Sequence, residues 1–124
     1  MRPRSVTLTP QELEIMKIVW QKGDATVRDV YETLLERRKV AYTSVMPMMK
    51  ILEEKGHLKR RRADRAYVYR ATRPETAVLR SMVREFVDRV FDGSDQPLLV
   101  HLYKARRLTE EEIDEVARLI KESE

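Results

Sequence analysis

The chain has no cysteine, only three glycines, and aromatic residues at just 6% of its length. Without cysteine there is no disulfide framework and no thiolate metal site; this is compatible with a reducing cytoplasm, the compartment we expect. Scarce glycine and the lack of low-complexity tracts or internal repeats argue against long flexible linkers. No apolar run approaches the ~18 residues of a membrane span, and no membrane partner is expected. The opening MRPRSVTLTP shows no hydrophobic segment of the signal-peptide kind. Gly-rich phosphate loops, metal-spaced His/Glu pairs and nucleophile motifs are missing too, so no catalytic residue, metal or cofactor is expected. His57 would begin a strand and His101 lies in an apolar segment; neither position marks chemistry. Glu110, Glu111 and Glu112 fall in the first turn of a helix, where the helix dipole favours carboxylates.

What the chain does have is charge. Of 124 residues, 37% are charged and 42% hydrophobic, enough for one domain or a small domain with an appendage. The net charge is only +4, but its distribution is uneven. Residues 1–73 hold 17 Lys+Arg against 9 Asp+Glu, a balance of +8; residues 74–124 hold 8 against 12, a balance of −4. A basic front and an acidic back point to a polyanion met by the front alone.

Helix starts are well marked. In LTPQEL, Thr9 is an N-cap, Pro10 the first helical residue and Glu12 the capping-box partner, with Leu8 and Leu13 as a hydrophobic staple. This helix should run to Lys22, stop at Gly23, and pack on two sides. A second opens at Thr26 with Asp29 three residues on, and should bury Val27, Val30, Tyr31, Leu34 and Leu35. A third, from about Tyr42, turns Val45, Met48, Met49 and Leu52 to one face and ends at Gly56. HLKRRRADRAYVYRAT (57–72) reads as two strands joined by a turn near Ala63-Asp64-Arg65, with Leu58, Tyr67 and Tyr69 inward. Three helices followed by a hairpin is the order of a winged helix-turn-helix.

Beyond Pro74 an amphipathic helix spans 75–91, DGSDQP breaks it, a short helix covers LLVHLY, and a last one opens with the Thr109/Glu112 capping box. Their stripes hold Val78, Met82, Val83, Phe86, Val90, Leu98, Leu99, Leu102, Ile113, Val116 and Ile120. With no obvious core of their own, these stripes suit pairing with a second copy. The expected fold is therefore mainly α with a small β-hairpin. A winged helix over 1–73 precedes a three-helix dimerisation region over 74–124.

The third helix carries the candidate DNA face: Tyr42, Thr43, Ser44, Met46, Pro47 and Lys50. Small hydroxyl residues near a helix start permit close approach and can bond phosphate or base. Lys50 suits a guanine edge or a phosphate, and Met46 and Pro47 could meet a thymine methyl. Thr43 and Ser44 are also common capping residues, and that alternative stays open. Pro47 should loosen or kink the first turn. The hairpin adds Lys59, Arg60, Arg61, Arg62 and Arg65 as phosphate contacts. A dimer using about four per protomer would show a log–log salt slope near −7.

Together LTPQELEIMKIVW, TVRDVYETL, AYTSVMPMMKILEEKG, the wing ending AYVYRA and the tail PLLVHLYKARRLTEEEIDEVARLI resemble the penicillinase/methicillin-resistance repressors of bacteria. The resemblance implies a homodimer that represses transcription from a dyad-symmetric operator in double-stranded DNA. It matches the recognition helix to 43–55, the wing to 58–70 and the dimer helices to 75–91, 97–104 and 109–122. Lacking cysteine, the chain departs from the copper-sensing branch of that family. In the lactam-responsive branch a sensor protease cuts an Asn-Phe bond; the matching pair here is Glu85-Phe86, which argues against that partner. The competing class is a winged-helix module for protein assembly or RNA, which the Thr/Ser/Lys face and cationic hairpin fit less well, since duplex RNA is met by shape across its minor groove.

Overall fold

Two capping boxes set the first two helices of the computed structural model, which describes residues 8–122. Residues 1–7, most of the stretch read above for a signal segment, and 123–124 lie outside it. The Thr9 amide donates to Glu12 Oε1 at 2.9 Å and the Glu12 amide to Thr9 Oγ1 at 3.1 Å, starting α1 (Pro10–Lys22). Thr26 and Asp29 make the same exchange at 2.9 and 3.0 Å, starting α2 (Val27–Leu35). Between them Gly23 takes a φ of 84°, a left-handed value that a side chain would strain, and closes α1 through its amide to the Val19 carbonyl.

The elements that follow are α3 (Tyr42–Glu54), β2 (Leu58–Ala63) and β3 (Ala66–Ala71). The short strand β1 (Asp24–Ala25), which the sequence did not disclose, pairs antiparallel with β3, so the sheet has three strands in the order β1-β3-β2. The hairpin register runs from Leu58↔Ala71 to Ala63↔Ala66, leaving Asp64 and Arg65 as a two-residue loop. Asp64 adopts a φ of 54°, a conformation that Asp tolerates better than most residues.

Ile15, Met16, Ile18 and Val19 of α1 are all buried, as its doubled apolar stripe requires, and α1 packs on α2, α3, β1 and β3. Val30 and Leu34 from α2, Val45, Met49 and Leu52 from α3, and Leu58 and Tyr69 from the hairpin complete this core. Two inward expectations fail. Leu35, at the last turn of α2, is 43% exposed, and Tyr67 is 41% exposed although it shares a sheet face with buried Tyr69. Strand alternation put Tyr67 on the correct face, but two residues nearer the loop the hairpin has left the body. Trp20 ties the end of this region down, its indole donating to the Arg73 carbonyl at 3.0 Å.

Contacts divide the chain into two compact units, Met1–Glu75 and Thr76–Glu124. The helices of the second region are α4 (Glu75–Val90), α5 (Gln96–Lys104) and α6 (Glu110–Glu122), with α5 packed on α6. Thr109 and Glu112 form the expected capping box, at 3.1 and 3.2 Å.

Candidate nucleic-acid interface

Helix α3 has one face in the core and one in solvent. Val45, Met49 and Leu52 are buried, whereas Tyr42, Thr43, Ser44, Met46, Pro47 and Lys50 are exposed. Capping does not occupy the hydroxyls: the N-cap is Ala41, with no side-chain cap, so Thr43 and Ser44 stay available at the positive end of the helix dipole. Pro47 lies inside α3 and does not interrupt it. The helix is continuous from Tyr42, and Ser44 N donates to the Ala41 carbonyl at 3.0 Å. Proline removes the amide that would bond the Thr43 carbonyl. Residues 43 and 47 both lie on the exposed face, where solvent can serve that carbonyl.

Tyr42 is only partly free. Its ring meets Tyr31 edge-on at 5.4 Å, and the Arg28 guanidinium lies 5.6 Å from its centroid. Arg28, in the first turn of α2, is an exposed cation beside the candidate face that sequence inspection missed; nothing local links it to Tyr42, 14 residues on.

The five hairpin cations separate into two groups. Arg60 stacks on Tyr67 at 4.1 Å and pairs with Glu53 of α3 at 3.3 Å. Arg61 pairs with Asp24 at 3.2 Å. Lys59, Arg62 and Arg65 are exposed and make no ion pair among the described residues, although Arg62 lies 5.6 Å from the Tyr67 ring. Lys50 is likewise exposed without an acidic partner among those residues. The cross-strand pairs Arg60↔Tyr69 and Arg62↔Tyr67 put Arg60 and Arg62 on the face that turns Leu58 to the core, with Lys59 and Arg61 on the other.

The C-terminal end of α3 is fixed from below. Glu12, only 4% exposed, accepts from Lys55 Nζ at 2.9 Å while it caps α1. Burial works against the Glu12 carboxylate, but hydrogen bonds from Lys55 and the Thr9 amide outweigh it and hold the group below the usual carboxyl range. Next to this pair His57 is 7% exposed, and its buried Nε2 has no partner among the described residues. Burial lowers its pKa from the ordinary 6.5; Glu12 opposes that shift, and Lys55 and Arg73 add to it. The unfolded chain therefore takes this proton at a higher pH than the folded one. Stability is full above 6.5 and falls as pH drops below it. Denaturant titrations at pH 7.5 and 5.5 should show a loss of at most about 1.4 kcal/mol per pH unit from this group. His57→Leu should lessen that loss; an unchanged pH dependence would exonerate the histidine.

In the second unit, Val78, Leu99 and Ile120 are buried within a single chain and so offer no surface to a partner. Met82, Leu98, Leu102, Ile113 and Val116 are half-buried. Val83, Phe86 and Val90 form an exposed apolar stripe along α4. The Glu85–Phe86 bond lies inside that helix, and a protease needs an extended segment, so the helix would have to open first. No grouping of side chains among the described residues could hold a metal ion, and no helix among them is long and apolar enough to cross a membrane.

Comparison with known proteins adds to this geometry. Residues 8–122 match the profile of a family described as the penicillinase repressor. The penicillinase repressor of Bacillus licheniformis is 23% identical over 93% of this chain and 90% of its own length. The transcriptional regulator BlaI of Mycobacterium tuberculosis is 31% identical over 91% and 82%. The methicillin resistance regulatory protein MecI of Mammaliicoccus sciuri is 20% identical over 94% and 95%. Among solved structures, the DNA binding domain of the repressor BlaI superposes with a TM-score of 0.53 at 23% identity, covering 60% of this chain and 90% of that one. The oxidized form of MarR from E. coli gives 0.51 at 16% identity over 94% and 76%. Both likenesses concern the winged-helix fold.

Proposed function

The chain belongs to the penicillinase repressor family, whose members are transcriptional repressors and not enzymes, and on that premise we propose that it acts in the cytoplasm as a homodimer on a dyad-symmetric operator. The observation that carries this reading is the free outer face of α3. It is uncapped, exposed from Tyr42 to Lys50 apart from core-facing residues, and followed at once by a hairpin in which Lys59, Arg62 and Arg65 make no ion pair among the described residues.

In this reading α3 enters the major groove, about 12 Å wide. Thr43, Ser44 and Lys50 reach phosphate or base edges, and Met46 and Pro47 supply apolar contact. Lys59, Arg62 and Arg65 lie along the backbone, with Arg60 and Arg61 behind them in their ion pairs. Three contacts per wing, six in a dimer, correspond to a log–log salt slope of about −5, shallower than counting every cation implies. The exposed Val83–Phe86–Val90 stripe of α4 is the surface offered to the second copy, because a contiguous apolar stripe is poorly suited to water. Release from the operator by cutting at Glu85–Phe86 is disfavoured by the missing asparagine and by the helix that encloses the bond.

The test is selection of bound duplexes from a random pool at physiological salt. The expected product is an inverted repeat whose half-sites are centred about one helical turn apart, or a multiple of that. Enrichment of a single, unrepeated half-site would overturn the dimeric reading. No enrichment would favour a winged-helix interaction or RNA-binding module instead.

A further inference from the structure

One carboxylate on the outer face of the hairpin holds two arginines from two different strands. Asp24 of β1 lies opposite Arg70 of β3, and Arg70 grips it as a fork, Nε to Oδ1 at 2.8 Å and Nη2 to Oδ2 at 3.2 Å. Arg61 of β2, beyond β3, adds a single bond from Nη2 to Oδ2 at 3.2 Å. The two guanidinium groups are unequal. Arg70 serves both oxygens and so fixes Asp24 in place, leaving Oδ2 set to receive Arg61 as well, whereas loss of Arg70 would strip away the bidentate pair. The Arg70 hydrogen bonds come first among the causes that hold Asp24 below the usual carboxyl range, with Arg61 contributing less.

We propose that Asp24 is a positioning residue that withholds Arg61 from the phosphate backbone, so the wing presents fewer working cations than its sequence contains. This rests on the DNA-binding reading above. The physical effect is on sequence-independent affinity. Each cation that reaches a phosphate releases counterion and strengthens binding to every duplex alike. A repressor that must leave arbitrary DNA to find an operator benefits from a lower non-specific term. Asp24 is suited to that task because it is itself secured by Arg70, on β3, and does not depend on the cation it restrains.

A four-protein cycle tests this: wild type, Asp24→Asn, Arg61→Ala and the double variant. Each is titrated onto one arbitrary duplex by fluorescence anisotropy between low and physiological salt. Asparagine keeps the size of Asp24 and an oxygen for Arg70, and circular dichroism confirms that each variant is folded. Arg61→Ala should leave the wild-type slope unchanged. Asp24→Asn should steepen it by about 0.9 for each wing on the duplex, with tighter binding at low salt, and Arg61→Ala in that background should remove the steepening. A variant that merely loosens the fold would weaken binding without steepening the slope. The proposal is overturned if Arg61→Ala flattens the slope equally in both backgrounds, or if Asp24→Asn leaves it unmoved. Failure of wild type to bind any duplex would instead sink the DNA-binding reading itself.

Discussion

Cut after Glu75, the chain will stay folded, will sediment as a monomer, and will hold its operator about a hundred-fold or more less tightly than the full protein. The first unit has its own core, drawn from three helices and a three-stranded sheet, and this cut keeps the Trp20–Arg73 hydrogen bond. The exposed α4 stripe goes, and with it the linkage that, in the proposed dimer, makes the second half-site contact intramolecular. That linkage multiplies affinity by about 10² to 10⁴ without any new contact. Analytical ultracentrifugation and operator titration on the same sample provide the two readouts. A truncated protein that still sediments as a dimer would place the subunit contact in the first unit and refute the role given to α4.

The largest effect on stability should come from Leu52→Ala. Leu52 is fully buried on the inner face of α3, where it joins Val45 and Met49 in seating the helix on the body. Truncating a core leucine costs about 2–5 kcal/mol, the spread reflecting how far the site can collapse. A domain of this size has on the order of 5 kcal/mol in total, so much of the first unit will be unfolded at 37 °C. Ile51→Ala is the control: one residue away on the same helix, at 43% exposure, it should shift the urea midpoint little. Equal losses for the two would mean that α3 is not anchored by its inner face.

Short-range chemistry was legible in the sequence. Thr9/Glu12, Thr26/Asp29 and Thr109/Glu112 are capping boxes closed within three residues, so the starts of α1, α2 and α6 followed from local spacing alone. The hairpin and its turn were legible for the same reason. What escaped depends on partners far along the chain. The strand β1 is two residues long and exists only through its register with β3. Tyr67 alternates as an inward residue should, but its exposure depends on where the body ends beneath it. In the candidate interface, the outer face of α3 could be read from helical periodicity. Which wing cations are free could not, because Asp24 lies 37 residues from Arg61 and Glu53 belongs to another element than Arg60.

Glu12 joins the beginning of the first helix to the end of the third. Its carboxylate caps α1 and receives Lys55, one residue past the last turn of α3. Grafting a relative's version of the proposed base-reading segment into this scaffold therefore has a natural seam: residues 42–51 can be exchanged on their outer face, whereas a graft running through position 55 must keep a cation there for Glu12 to receive. Reprogrammed binders that respect the seam should keep the parent's thermal midpoint, and those that cross it without a cation at 55 will leave the buried Glu12 carboxylate with its helix cap but no charged partner.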